Sequence, residues 1–159
     1  MERSFSSSWL VFAAVLAVGV LLAIGCQKRA TVFPNSDPAL NRTSQAFADD
    51  AKSRQPFKTE LATGTKADGV ARLDYTLEVI QLTNLSPETW ENIEVWVNGK
   101  YVVYVPKIEA GRLRTLSFKM FYDGAGNTIP PSKNSSPRVQ TVQILHNGTI
   151  TTVPMKIAI

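Results

Sequence analysis

Between Val70 and Ile159 the hydrophobic positions recur with a period of two, and turn residues interrupt them at short intervals. Leu73, Tyr75, Leu77 and Val79 alternate with Asp74, Thr76 and Glu78, the pattern of a half-buried strand. Near Ile80 and Leu82 the apolar positions change face, which predicts a bulge or a strand passing between sheets. Asn84, Ser86 and Pro87 mark a turn. Ile93 to Val97 and Lys100 to Val105 flank Asn98-Gly99, a pair suited to the positive φ angles of a two-residue hairpin turn. Pro106 ends the second strand, and Glu109-Ala110-Gly111 turns the chain again. Arg112 to Tyr122 alternates Leu116, Phe118 and Met120 with Thr115, Ser117 and Lys119, which predicts another strand. After a turn at Asp123 to Asn127 and a proline-containing loop, Arg138 to His146 reads as a strand. Asn147-Gly148 repeats the hairpin signal, and Thr149 to Ile159 closes the sheet in two pieces around Pro154. Six or seven short strands and no helical period predict an all-β antiparallel sandwich, with a small open barrel as the alternative.

The segment before Val70 is different. Residues 26–69 hold few large apolar side chains and no sustained period, so they are expected to form a flexible tether. Within it Ser44 to Lys52 has the makings of two helical turns, with an apolar face of only Ala46, Phe47 and Ala51. Trp9 to Gly25 is seventeen residues without a charge. As a helix it would span about 26 Å, slightly less than a hydrocarbon core of about 30 Å. An apolar run behind a short polar start is the layout of a secretory signal. Three regions follow: a signal segment at 1–25, a tether at 26–69 and a β-sandwich at 70–159.

Two resemblances sharpen this outline. Leu22-Ala23-Ile24-Gly25-Cys26 resembles the lipobox of bacterial lipoproteins, with Ala23 where that family prefers leucine. The resemblance implies a diacylglyceryl group on the Cys26 sulfur, cleavage just before Cys26, and acylation of the new amino terminus. Two or more acyl chains hold a protein on a membrane stably, at about 0.8 kcal/mol per buried CH₂. Gln27 behind the cysteine resembles lipoproteins exported to the outer membrane of two-membraned cells, where the retention signal is usually aspartate. The alternative is an uncut single-pass anchor serving an envelope complex. Lys28 and Arg29 speak mildly against it in an exported protein, because basic residues prefer the cytoplasmic side. The strand rhythm of 70–159 is similar to immunoglobulin-like or fibronectin type III-like modules, a likeness of fold that implies no activity.

Composition narrows the function further. The formal charge of +4 is spread singly, without the dense basic patch of a nucleic-acid binder. Cys26 is the one cysteine, so no disulfide forms within the chain and the body depends on packing. His146 is the one histidine, beside a turn, and no serine or free cysteine has the context of a nucleophile. No cofactor or metal site is expected, since zinc needs several His, Cys or carboxylate ligands. The expected role is therefore a lipid-anchored, non-catalytic binding or structural module of the envelope; a small envelope enzyme or metal carrier is the remaining alternative. Trp96 points opposite to Ile93, Val95 and Val97. With Tyr104 or Val102 it is the candidate for an exposed apolar partner surface; the alternative is that a loop or the tether covers Trp96, or that Trp96 itself faces the core.

Overall fold

The computed structural model describes residues 40–130 and 138–158. The expected signal segment, the lipidation junction at Cys26, the first part of the tether and Ile159 lie outside the described residues.

The chain builds two sheets. The five-stranded sheet has the order β1 (Ala62–Thr63), β8 (Thr149–Thr152), β7 (Val142–His146), β4 (Trp90–Val97), β5 (Tyr101–Ile108). The four-stranded sheet has the order β6 (Leu113–Ser117), β3 (Val79–Asn84), β2 (Gly69–Asp74), β9 (Met155–Ile157). Pairing is antiparallel except for β1 with β8 and β2 with β9. The expected sandwich is therefore present, with nine strands among the described residues in place of six or seven. Its core lies between the sheets, where Ala71, Leu73, Ile80, Leu82, Leu116, Ile93, Val95, Val97, Val105 and Ile144 are buried.

Both asparagine-glycine hairpins form as their residues require. Asn98 and Gly99 have φ of 56° and 61°, and the Lys100 N–H donates to the Val97 carbonyl at 3.0 Å. Asn147 and Gly148 have φ of 49° and 73° between the paired His146 and Thr149. Asn98 does more than turn the chain. Its Oδ1 accepts from the Gln140 and Thr141 amides at 2.7 and 3.1 Å, and its Nδ2 donates to the Arg138 carbonyl at 2.7 Å. That fastens the approach to β7 against the hairpin.

Two expected strands are broken. The alternation from Leu73 to Val79 is a hairpin instead of one strand: β2 ends at Asp74, and Asp74 stands directly opposite Val79. The Asp74 carboxylate accepts from the amides of Thr76 and Leu77, both at 2.9 Å, and Glu78 adopts a φ of 54°. A local side-chain acceptor stabilises the turn, and Leu77 is left exposed. The apparent face change at Ile80 is thus a reversal of direction. The alternation from Arg112 to Tyr122 is broken at Ser117, where a 3₁₀ turn spans Phe118–Met120. Phe118, Met120, Phe121 and Tyr122 are all buried, which no single strand with one solvated face allows. Here the chain crosses between sheets: β6 lies in the four-stranded sheet, while Tyr122 exchanges both backbone hydrogen bonds with Val102 of β5.

The described part of the expected tether is folded onto this body. Helix α1 (Ser44–Arg54) is capped by Thr43, whose hydroxyl oxygen accepts from the Ala46 amide at 3.2 Å. Phe47 and Ala51, one turn apart, are buried, as is Leu40 ahead of the helix. Helix α1 packs against β5 and the 3₁₀ turn. It lies on the face of the five-stranded sheet away from the other sheet, making a third layer. β1, which extends the sheet by two residues, also comes from the expected tether.

Phe47→Ala removes the largest apolar contact of α1 and is expected to cost about 3–5 kcal/mol. Chemical denaturation with tryptophan fluorescence checks this: the midpoint should fall, and native emission should shift to the red as Trp96 meets water.

Candidate binding surfaces

The outer face of the β4–β5 hairpin carries the residues expected to meet a partner. Residues paired across antiparallel strands share a face, and the register sets Trp96 opposite Val102 and Glu94 opposite Tyr104. The structure does bring Trp96, Val102 and Tyr104 together. It does not expose them: Trp96 is 1% and Val102 0% accessible, and only Tyr104 is half-buried. The candidate open patch is thus corrected to a covered one, the alternative in which the tether lies over Trp96. The cover is the segment that sequence reading takes as tether. Phe57, three residues beyond α1, sets its ring edge-on to Trp96 at 5.1 Å between centroids.

A polar chain accompanies this apolar seal. The Trp96 indole N–H donates to Glu94 Oε2 at 3.0 Å, and Glu94 Oε1 accepts from Arg54 Nη1 at 2.9 Å. Arg54 also binds Asp50 through Nε at 3.2 Å and Nη2 at 3.0 Å. The same guanidinium lies 4.3 Å over the Tyr104 ring, and the Tyr104 hydroxyl donates to Asn92 Oδ1 at 2.6 Å. Burial works to lower the Arg54 pKa, but the hydrogen bonds to Asp50 and Glu94 outweigh it and hold the guanidinium above its ordinary value. The cation is permanent, so the seal does not open by titration of Arg54. Sequence reading misses this site because its helix has almost no apolar stripe. The only signal was charge spacing, Asp50 four residues before Arg54.

At Asn92 and Pro106 both hairpin strands change face. Ile93 and Val105 are buried, Glu91 and Lys107 are exposed, and the opposed Trp90 and Ile108 are buried again. Asn92 takes a φ of 51° at the switch. Trp90 then reaches between the sheets. A Cβ on Gly69 would stand 2.5 Å from its ring and 2.7 Å from the Thr83 carbonyl, so only glycine fits there.

Above Trp90 and Ile144 opens a cleft of about 350 Å³, rimmed by Lys66, Asp68, His146, Thr149 and Thr151. His146 is half-buried at the end of β7, not fully exposed as its place beside a turn suggests. A wider groove of about 700 Å³ runs between Phe57 and the 123–127 turn. In that turn Asp123 is buried and accepts from the amides of Asn127 at 2.8 Å and Ala125 at 3.0 Å, with Lys100 at 3.4 Å. These contacts make it a structural cap, as the plain-turn reading holds. Burial tends to raise the Asp123 pKa, yet the hydrogen bonds from Asn127 and Ala125 prevail and hold it below the ordinary carboxylate value. Among the described residues no group of three or more His, Cys, Asp or Glu side chains could hold a metal ion. Among them, too, no helix is long and apolar enough to cross a membrane.

No family model and no curated protein matches the chain. Among solved structures, it is similar to the ligand binding region of Serine-glutamate repeat protein A (SgrA) of Enterococcus faecium. The identity is 13%, and the match covers 59% of this chain and 94% of that one at a TM-score of 0.30. A likeness at that TM-score carries no argument here about fold or function.

Arg54→Ala leaves the buried Glu94 carboxylate without its cation and is expected to cost about 1–3 kcal/mol; thermal unfolding of the variant beside Arg54→Lys measures it. Asp123 predicts the acid response. Its folded pKa lies below its unfolded one, so the unfolded chain binds the proton first as the pH falls. Its contribution is whole above about pH 4 and is lost as the pH drops through the lowered folded value. Urea midpoints recorded from pH 6 to pH 2.5 should decline less steeply in Asp123→Asn than in the parent.

Proposed function

We propose that the chain is a lipid-anchored, non-catalytic binding module of the cell envelope, held on the membrane by acyl chains at Cys26. The single observation that carries this reading is the junction Leu22 to Cys26. An uncharged apolar run ends there at the one cysteine, directly ahead of a polar segment and a compact β body. Export agrees with the rest of the chain: a packed β body needs no disulfide, and a thiol consumed by lipid leaves none to react. In a two-membraned cell Gln27 directs the anchor to the outer membrane.

The folded body is short of freely reaching groups. Its one histidine sits half-buried at a strand end, and its buried acids Glu94 and Asp123 are engaged by Arg54, Trp96, Lys100 and backbone amides. That supports recognition over catalysis. Because α1 and Phe57 cover the outer face of the β4–β5 hairpin, recognition falls to the edges of the sandwich and the cleft over Trp90. From Leu40 onward the expected tether belongs to the folded body.

Cells fed radiolabelled palmitate should give a labelled band for this protein that disappears in Cys26→Ser, and mass spectrometry should find an acylated cysteine at the mature amino terminus. An unlabelled protein with its amino terminus intact ahead of Trp9 overturns the lipid anchor and leaves the uncut span.

A further inference from the structure

We propose that the edge of β9, which pairs with no second strand among the described residues, accepts an extended peptide segment of alternating apolar, acidic and apolar residues, which adds a fifth strand to the four-stranded sheet. This inference deepens the binding-module reading and rests on it.

The edge is defined by its hydrogen bonds. The Pro154 carbonyl accepts from the Ala71 amide at 2.9 Å, and the Ala158 amide donates to the Leu73 carbonyl at 2.7 Å. Residues 154 and 158 therefore direct backbone groups toward β2. Consecutive residues of a strand direct theirs to opposite sides, so the N–H and C=O groups of Met155 and Ile157 point to the open edge. That edge is where strand addition occurs.

The side chains say what fits. Met155 stands opposite Ala71 and Ile157 opposite Leu73, both buried on the inner face of the sheet. Yet Met155 is 37% and Ile157 59% exposed. They overhang the core as an apolar step along the seam between the sheets. A strand hydrogen-bonded to β9 would lay two side chains on that step, and apolar ones would shield it. The residue between them would lie on the outer face, directly across from Lys156. Lys156 is itself paired with Arg72, and both are exposed. Asp74, on the same face of β2, is already engaged by the Thr76 and Leu77 amides. Two adjacent cations thus select an acidic residue at the central position. The same charge argues against a second copy of the chain. Pairing β9 with itself about a two-fold axis would set Lys156 against Lys156, a destabilising like-charge pair.

The test uses the full ¹⁵N-labelled chain in detergent micelles, titrated with the acetylated, amidated heptapeptides TTVEVTT and TTVKVTT. The glutamate peptide should shift the amide signals of β9 and β2, slow hydrogen exchange at Met155 and Ile157, and bind about tenfold tighter than the lysine peptide at low salt. Lys156→Glu should reverse that preference. Met155→Pro removes one outward N–H while sparing the bonds of Pro154 and Ala158 to β2; it should abolish the shifts with the melting temperature held. If Met155→Pro unfolds the chain, Lys156→Glu alone decides. Shifts confined to the Trp90 cleft, equal affinity for the two peptides, or no shift with either overturns the edge proposal. Palmitate labelling at Cys26 is read separately, so an edge that fails on a labelled protein leaves the anchored-module reading standing.

Discussion

A carboxylate on the outer face of a β-sheet stays there without water only if a cation and hydrogen-bond donors meet it. Glu94 is in that position, and Arg54 and the Trp96 indole meet it. Most of the third layer follows from this one contact. Arg54 closes helix α1, so reaching Glu94 lays the helix along the hairpin, where Phe47 and Ala51 become buried. Phe57 follows two residues past Gln55 and covers Trp96. β4 is consequently buried on both faces from Ile93 to Val97, a condition more usual for a central parallel strand than for an antiparallel hairpin.

Sealing one face redistributes what the molecule offers to others. The aromatic residues that would make an adhesive patch on an isolated sandwich are structural here. What remains open is less conspicuous: the cleft over Trp90, the groove beside Phe57, and the β9 edge with its overhanging Met155 and Ile157. A strand of three residues is a small template. Such brevity, together with Lys156 at its centre, is how natural edges avoid indiscriminate pairing. An edge protected in that way admits a complementary partner more readily than a copy of itself.

Much of the fold is legible in the residues because the determinants are local. Asn98-Gly99 and Asn147-Gly148 make their hairpins by backbone preference alone, and Pro154 divides the last strands as expected. The misreadings share a cause as well. Leu73 to Val79 and Arg112 to Tyr122 both carry a period-two pattern that continues through a turn. In the first, the Asp74 carboxylate organises the reversal. In the second, a 3₁₀ turn carries the chain from one core-facing surface to another, so every residue from Met120 to Tyr122 is buried. Periodicity reports burial along a chain and is silent about its direction. Arg138 belongs with these long-range effects: it stacks on Tyr75 and Phe118 and donates to the Pro130 carbonyl, joining three segments that no local pattern connects.

The amino-acid order by itself determined the strand-rich character, the hairpin positions, the absence of an internal disulfide and the apolar run that ends at Cys26. Each of these depends on the chemistry of a residue and its immediate neighbours. Only the tertiary structure decided that α1 is a layer of the body, that Trp96 and Val102 are interior, and that β9 stands at the edge of its sheet among the described residues. Those outcomes depend on pairings across forty residues of chain, such as Arg54 with Glu94, whose free energy arises from desolvation when the partners meet and leaves no periodic trace in either segment.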